Sequence, residues 1–308
     1  MVRKLVVAAV AVVILGLAAF WVLTIPQTVS ASALEPHTPN LANGKMLFNI
    51  GGCTSCHATP GQKDRTKLGG GLALKSPFGT FYPPNISSDP VDGIGAWTEA
   101  QFIAAMTKGT SPAGEHLYPA FPYTSYQRVS YRDLRDLFAF IKTLPAVRGR
   151  VPDHDLEFPF NIRRLVGLWK LLFLDGQPFQ PDPSKADDWN RGAYLVNGAG
   201  HCAECHSPRN FLGGIIKSER FAGAPTPDGK DWAPNITQKG LAKWTVKDIA
   251  YLLETGITLD GDSVGSAMRE VVRNTALISG DDRAAIATYI KSLPPVDGPP
   301  KPKDKREK

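Results

Sequence analysis

Cys53-Thr54-Ser55-Cys56-His57 and Cys202-Ala203-Glu204-Cys205-His206 decide how this chain is read. Both have the form C-x-x-C-H, the attachment pattern of c-type haem. Two thiols three residues apart lie on one turn of helix, where each can close a thioether to a vinyl group of one porphyrin. The histidine after the second thiol then meets the iron from one face. All four cysteines of the chain lie in these two motifs. A zinc site built from both pairs would leave the histidines unexplained, and a thioredoxin-like dithiol would lack its βαβ setting. The residues therefore predict two covalently bound haem c groups. Cys53, Cys56, Cys202 and Cys205 are the attachment points, and His57 and His206 the axial iron ligands.

Working outward, the chain has 308 residues, room for two domains of ordinary size. Its net charge is +6, but Arg3-Lys4 and the tail Lys301–Lys308 hold most of it and leave about +1 for the body. No basic stripe remains to suit nucleic acid. Leu5 to Ile25 is an apolar run of 21 residues, broken only by Thr24 and ended by Pro26. That length spans a bilayer, with the basic flank left on the cytoplasmic side. The rival reading is a cleaved signal peptide, because Ala31-Ser32-Ala33 resembles a processing site; signal cores are shorter, which favours a retained anchor.

The remainder repeats itself. Gly44 pairs with Gly192, Pro84-Asn85-Ile86-Ser87 with Pro234-Asn235-Ile236-Thr237, and Trp97-Thr98 with Trp244-Thr245. Ile141-Lys142-Thr143-Leu144-Pro145 pairs with Ile290-Lys291-Ser292-Leu293-Pro294. Order and spacing agree throughout, so each copy is one haem domain. Thr98 with Gln101 and Thr245 with Asp248 predict capped helices. Leu134, Leu137, Phe138 and Ile141, and again Ile286, Tyr289, Ile290 and Leu293, form the apolar stripe of a closing helix that stops before proline.

The fold class expected is all-α: an N-terminal transmembrane helix followed by two tandem class I cytochrome c domains. The boundaries are 1–25 for the anchor, 26–39 for a tether, 40–150 for domain 1, 151–187 for a linker, 188–298 for domain 2 and 299–308 for a disordered basic tail. The linker holds a helical segment from Ile162 to Leu174. Its plainer reading is a helix packed between the domains; Arg163, Arg164 and Lys170 beside a Trp-bearing face would also suit a bilayer surface or a partner helix.

The sixth iron position decides whether a haem only passes electrons, and a Met thioether there raises the potential. Of the four methionines, Met1 starts the chain, and Met46 and Met106 sit at core positions of helices. Met268 lies in an irregular Gly/Ser-rich segment twelve residues after Gly256 and is the expected sixth ligand of haem 2. Twelve residues after Gly109 stands Phe121, which cannot bind iron. Haem 1 is left with His116 as a possible distal ligand, an unidentified ligand, or an open position. His201 reads as a neighbour of the site rather than a ligand, and His37 and His154 lie in tether and linker.

Gly51-Gly52-Cys53, Thr80-Phe81-Tyr82-Pro83-Pro84-Asn85-Ile86, Gly93-Ile94-Gly95-Ala96-Trp97, Leu117-Tyr118-Pro119-Ala120 and Gly200-His201-Cys202 to Asn210 carry a family resemblance. From the anchor to about Val296 the chain resembles the membrane-bound cytochrome c subunits of bacterial periplasmic dehydrogenases for alcohols, aldehydes and gluconate. The resemblance implies a catalytic partner subunit of PQQ, flavin or molybdenum type, and quinone or another cytochrome as acceptor. It also implies a single anchor in the cytoplasmic membrane with the haem domains facing the periplasm. Better-known members have three haem motifs, and their Tyr-Pro-Ala-Met-Pro pattern would put a Met where Phe121 stands. The expectation is an electron relay without substrate chemistry of its own. The alternative is a dihaem oxidoreductase, peroxidase-like or sulfur-compound oxidising, that uses an open haem 1.

Overall fold

The computed structural model describes residues 1–226 and 229–301, so most of the basic tail lies outside the described residues. Helix α1 (Val2–Leu23) is 22 residues long, and its most apolar 18-residue stretch has a mean hydropathy of 2.9. At about 1.5 Å per residue it measures about 33 Å, enough for a hydrocarbon layer of about 30 Å. Among the described residues it is the one helix long and apolar enough to cross a membrane. It stops two residues before the end of the apolar run, because Pro26 turns Ile25 away from helical geometry. Thr24 takes the cap, its Oγ1 donating to the Phe20 carbonyl at 2.7 Å.

Residues 26–39 are bonded to the body rather than loose. Val29 and Leu34 pack on the apolar core, and Arg135 Nη1 donates to the Glu35 carbonyl at 2.5 Å. His37 Nε2 lies 2.6 Å from Asp136 Oδ1, with both side chains buried. Composition suggested a tether because the groups that hold this strap belong to a helix a hundred residues away.

The first repeat contains α2 (Leu41–Ile50), α3 (Cys53–His57), α4 (Glu99–Lys108), α5 (Tyr123–Tyr126) and α6 (Tyr131–Lys142). The linker forms α7 (Leu165–Phe173), and the second repeat α8 (Asp187–Asn197), α9 (Ala203–His206), α10 (Val246–Thr255), α11 (Ser266–Thr275) and α12 (Gly280–Lys291). Helix α2 crosses α6 at Gly44, where a Cβ would stand 2.1 Å from the Asp136 carbonyl oxygen. Helix α8 crosses α12 at Gly192, where a Cβ would stand 1.9 Å from the Ala285 carbonyl oxygen. Neither crossing admits a side chain.

The expected capping boxes form: Thr98 accepts from Gln101 N and Thr245 from Asp248 N, with the reverse bonds present. Such a cap contributes about 1 kcal/mol. The stripes also turn inward as their spacing requires. Leu134, Leu137, Phe138 and Ile141 are buried, as are Ile286, Ile290 and Leu293. One continuous apolar cluster runs through both repeats.

Short strands finish the frame. β1 (Leu74–Ser76), β2 (Gly79–Phe81) and β3 (Asp155–Leu156) form an antiparallel sheet in that order, with Leu74 opposite Phe81 and Gly79 opposite Leu156. This stitches the start of the linker to the first repeat. β4 (Ala224–Pro225) pairs with β5 (Trp232–Ala233). Helix α7 is shorter than the segment expected from Ile162 to Leu174, since residues 162–164 turn rather than continue it. Its Val166, Gly167 and Lys170 are buried.

Candidate haem sites

Each C-x-x-C-H motif sits on a short helix entered through a left-handed residue. Before Cys53 this is Gly52, with φ 59°; before Cys202 it is His201, with φ 37°. Glycine adopts that conformation freely, whereas histidine gives up about 1–2 kcal/mol. Two contacts offset the cost. His201 Nε2 donates to the Gly51 carbonyl at 3.2 Å, and its ring meets Tyr126 edge-on at 5.6 Å.

The two motif histidines are held in the same way. His57 Nδ1 donates to the Pro84 carbonyl at 2.8 Å, and His206 Nδ1 to the Pro234 carbonyl at 2.7 Å. Burial lowers the pKa of both rings, with the carbonyl bonds opposing it, so neutral imidazole is favoured. With the proton fixed on Nδ1, the lone pair of Nε2 is free for iron. Each carbonyl is itself clamped. Asn85 Nδ2 donates to the Val147 carbonyl at 2.7 Å while its Oδ1 accepts from Ser87 N; Asn235 Nδ2 donates to the Val296 carbonyl at 2.8 Å while its Oδ1 accepts from Thr237 N. The segment after each closing helix thereby sets the orientation of the imidazole.

The four cysteines carry no disulfide. Burial pushes the Cys53 and Cys202 thiols up to about 12 and raises Cys56 and Cys205, with Cys205 adding to the rise at Cys56. Beside Cys53 lies an apolar cavity lined by Leu47, Met106, Tyr126, Val129 and Leu134. Among the described residues no three His, Cys, Asp or Glu side chains gather as a metal cluster. Paired thiols, an oriented imidazole and an apolar wall fit haem c, which thioethers would hold at each pair.

Each attachment helix is docked on the opposite repeat, and the contacts are reciprocal. From the second repeat, Asn274 donates to Ser55 Oγ at 2.8 Å and accepts from Thr54 Oγ1 at 3.2 Å, while Glu270 pairs with Arg65 at 2.6 Å. From the first repeat, Thr124 and Ser125 donate to Glu204 at 2.9 and 2.8 Å, and Arg209 completes that carboxylate at 2.6 Å. Burial alone would raise the Glu204 pKa, but Arg209 and the two hydroxyls bring it below the usual value. The variable positions inside each motif thus dock the opposite repeat.

The sixth-ligand expectations fare unequally. Met268 lies on the first turn of α11, half-buried at the edge of the apolar cluster. The irregular segment expected there is helical from Ser266; Met268, Val272 and Thr275 share its inner face, a period masked by the surrounding Gly and Ser. His116 is buried, and both ring nitrogens are engaged by other groups. Nε2 donates to the Thr24 carbonyl at 2.8 Å, and Nδ1 accepts from Lys170 at 3.0 Å. In this arrangement it has no lone pair for haem 1 and no free group for distal acid–base work. Met106 is a core residue, and Met46 Sδ faces Arg191 at 3.8 Å. His154 sits between Phe81 and Tyr118, its rings 5.4 Å from each.

Sequence reasoning missed the asparagine clamps, the docking contacts and the bonds of His37 and His116. Only the clamps left a signal, in the repeated Pro-Asn-Ile-Ser/Thr.

Comparison with known proteins agrees with this chemistry. A family model described as cytochrome c matches residues 41–145. The chain is 45% identical over 297 residues to a dihaem c-type cytochrome of Cereibacter sphaeroides, across 96% of this chain and 99% of that one. It is 38% identical over 274 residues to the fructose dehydrogenase cytochrome subunit of Gluconobacter japonicus, covering 87% of this chain and 55% of that one. It is 33% identical over 281 residues to the gluconate 2-dehydrogenase cytochrome c subunit of Pantoea cypripedii, covering 86% of this chain and 63% of that one. It therefore spans almost all of the first relative and less than two thirds of the other two. The chain belongs to the cytochrome c family that includes dihaem c-type cytochromes and the cytochrome subunits of alcohol, fructose and gluconate dehydrogenases.

Proposed function

We propose that the chain is a dihaem c-type cytochrome that relays electrons from a periplasmic dehydrogenase subunit to quinone or another cytochrome. Its two class I domains, 40–150 and 188–298, each hold one haem c through Cys53 and Cys56 or Cys202 and Cys205, with His57 and His206 as axial ligands. The observation that carries this reading is the duplicated imidazole clamp, His57–Pro84–Asn85 and His206–Pro234–Asn235, built twice with nearly equal distances. Bound haem supplies a one-electron iron couple. The protein orients the imidazole, keeps water from the porphyrin face and sets the potential through the sixth position.

Met268 is the sixth ligand of haem 2 in this reading. Phe121, the residue at the matching position of the first repeat, packs against Tyr126 at 5.4 Å and Tyr123 at 6.4 Å and offers haem 1 no methionine ligand. A haem held at Cys53 and Cys56 would then have the lower potential and would be the point of entry, and one held at Cys202 and Cys205 the point of exit. The engagement of His116 removes the main distal acid–base group that the oxidoreductase alternative needed. Retention of α1 as an anchor in the cytoplasmic membrane, with the body in the periplasm, is supported by Thr24. Its carbonyl and hydroxyl are bonded to His116 and Arg164, contacts that cutting at Ala33 would discard.

The test is direct. Denatured protein washed with acidified solvent should keep its colour at about two haems per chain, one for each C-x-x-C-H motif, and the native protein should be reduced rapidly by a substrate-fed periplasmic dehydrogenase. Extractable colour would end the covalent reading. Peroxide or thiosulfate turnover without such a partner would end the relay.

A further inference from the structure

Helix α7 turns the wrong face outward for a helix in water. Its inner side carries Val166, Gly167 and Lys170, all buried; Val166 packs with Phe81 and Tyr118, and Lys170 donates to the Lys108 and Gly109 carbonyls at 2.7 and 2.6 Å. Its outer side shows Leu168 at 38%, Leu171 at 55% and Leu172 at 63% exposure, spaced to share one face. Its basic residues do not offset this. Arg163 points back to the His116 carbonyl and the Tyr118 ring, and Arg164 to Trp21. A bare leucine face whose neighbouring cations all point elsewhere marks a contact surface.

The position of the helix names the partner. Arg164 lies 4.3 Å over the Trp21 ring, donating to the Trp21 carbonyl at 2.7 Å and to Thr24 Oγ1 at 2.8 Å. At Gly167 a Cβ would meet Thr24 Cβ at 2.6 Å, so the α7 backbone abuts the outer end of α1. If α1 spans the bilayer, Trp21 and Thr24 sit at the level where hydrocarbon meets headgroups. The leucine face is then held at that same level. Nine residues cannot cross a membrane, but they can lie flat along it.

We infer that α7 is an interfacial helix, with Leu168, Leu171 and Leu172 embedded in the outer leaflet of the bilayer that α1 crosses. The inference rests on reading α1 as a membrane span. Its depth would be about 5–10 Å into the headgroup and acyl boundary. The second repeat shares this footing, because Trp169 Nε1 donates to the Leu212 carbonyl at 2.9 Å and the adjacent Phe211 is 88% exposed. The body would therefore stand on the membrane at a fixed attitude instead of swinging from a tether.

The full chain in phosphatidylcholine–phosphatidylglycerol nanodiscs, without any dehydrogenase, tests this. Single variants Leu168→Cys, Leu171→Cys and Leu172→Cys are compared with Val91→Cys and Tyr251→Cys, exposed residues of the first and second repeats. Thioethers occupy the natural cysteines, so each variant offers one reactive thiol. Mass spectrometry then reads the labelling rate with a charged, impermeant maleimide relative to N-ethylmaleimide. That ratio should be about tenfold lower at the three leucine positions than at the controls, because lipid excludes the charged reagent. Ratios equal to the controls in chain that has entered the nanodisc overturn the interfacial placement alone. Chain that does not enter the nanodisc overturns the anchor and this inference together.

Discussion

In the first repeat Gly44 faces Asp136 and Phe140; in the second, Gly192 faces Ala285 and Tyr289 at nearly the same separations. The two halves share a frame to that level, including the prolyl carbonyl on the imidazole and the asparagine behind it. They part where the frame allows freedom. Asp136, which ties down the strap after the anchor, corresponds to Ala285 in this packing. Gly52 corresponds to His201, which reaches across to Gly51. Phe121 stands twelve residues after Gly109, where Met268 stands twelve after Gly256. The comparison teaches that what holds the imidazole is fixed by geometry, while the residues around that frame are open to change.

The largest effects should come from breaking what the halves share. Gly44→Leu and Gly192→Leu each drive a side chain into a backbone carbonyl at the helix crossing and should cost about 3 kcal/mol, the upper end for overpacking. Chemical denaturation of the haem-loaded protein checks this. A large loss in only one variant would show that the two frames are not equivalent.

Met268→Leu sharpens the difference at the sixth position. Its expected effect is a fall of about 0.1–0.3 V in one potential only, within the roughly 0.8 V range that axial ligands command. A redox titration followed in the visible spectrum reads it. An unchanged pair of potentials would remove Met268 from the iron.

Asn85→Ala and Asn235→Ala should each cost about 1–3 kcal/mol, because each takes the acceptor from a backbone N–H of a buried residue, Ser87 or Thr237. Each should also disturb the spectrum of its own haem and spare the other. The smaller of these two losses tells which domain leans more on the rest of the chain.

Asp136 has no carboxylate counterpart in the second half, and its effect should depend on pH. Burial alone would raise its pKa, but bonds from Asn43, the Asn40 backbone and His37 hold it below the ordinary value. As pH falls the unfolded chain takes up this proton first. The stabilisation is therefore complete above about pH 4 and is lost as pH drops through the folded value. Asp136→Asn should lower stability at pH 7 by about 1–3 kcal/mol and flatten the acid limb. Acid titration of wild type and variant by circular dichroism compares the two slopes.

Much of this was legible in the sequence because it is local. C-x-x-C-H, the capping boxes at Thr98 and Thr245, and the stripes ending at Leu144-Pro145 and Leu293-Pro294 each need only a few neighbouring residues. The repeat made each observation count twice. What stayed hidden depends on groups far apart in the chain. His37 found Asp136 across ninety-nine positions, and His116 found Thr24 across ninety-two. The helix bearing Met268 was masked by Gly and Ser beside it, and its outer residues show no alternation to betray the turn. The leucine face of α7 was readable as apolar, but only the Arg164–Trp21 contact shows which side of it turns outward and beside what.

Carbon monoxide added to the fully reduced protein tests the inequality of the two haem sites most directly. The account predicts that about half of the haem, the share without a methionine ligand, shifts its Soret band while the rest is unmoved. A spectrum unchanged at saturating gas, or one in which all the haem shifts, would contradict it.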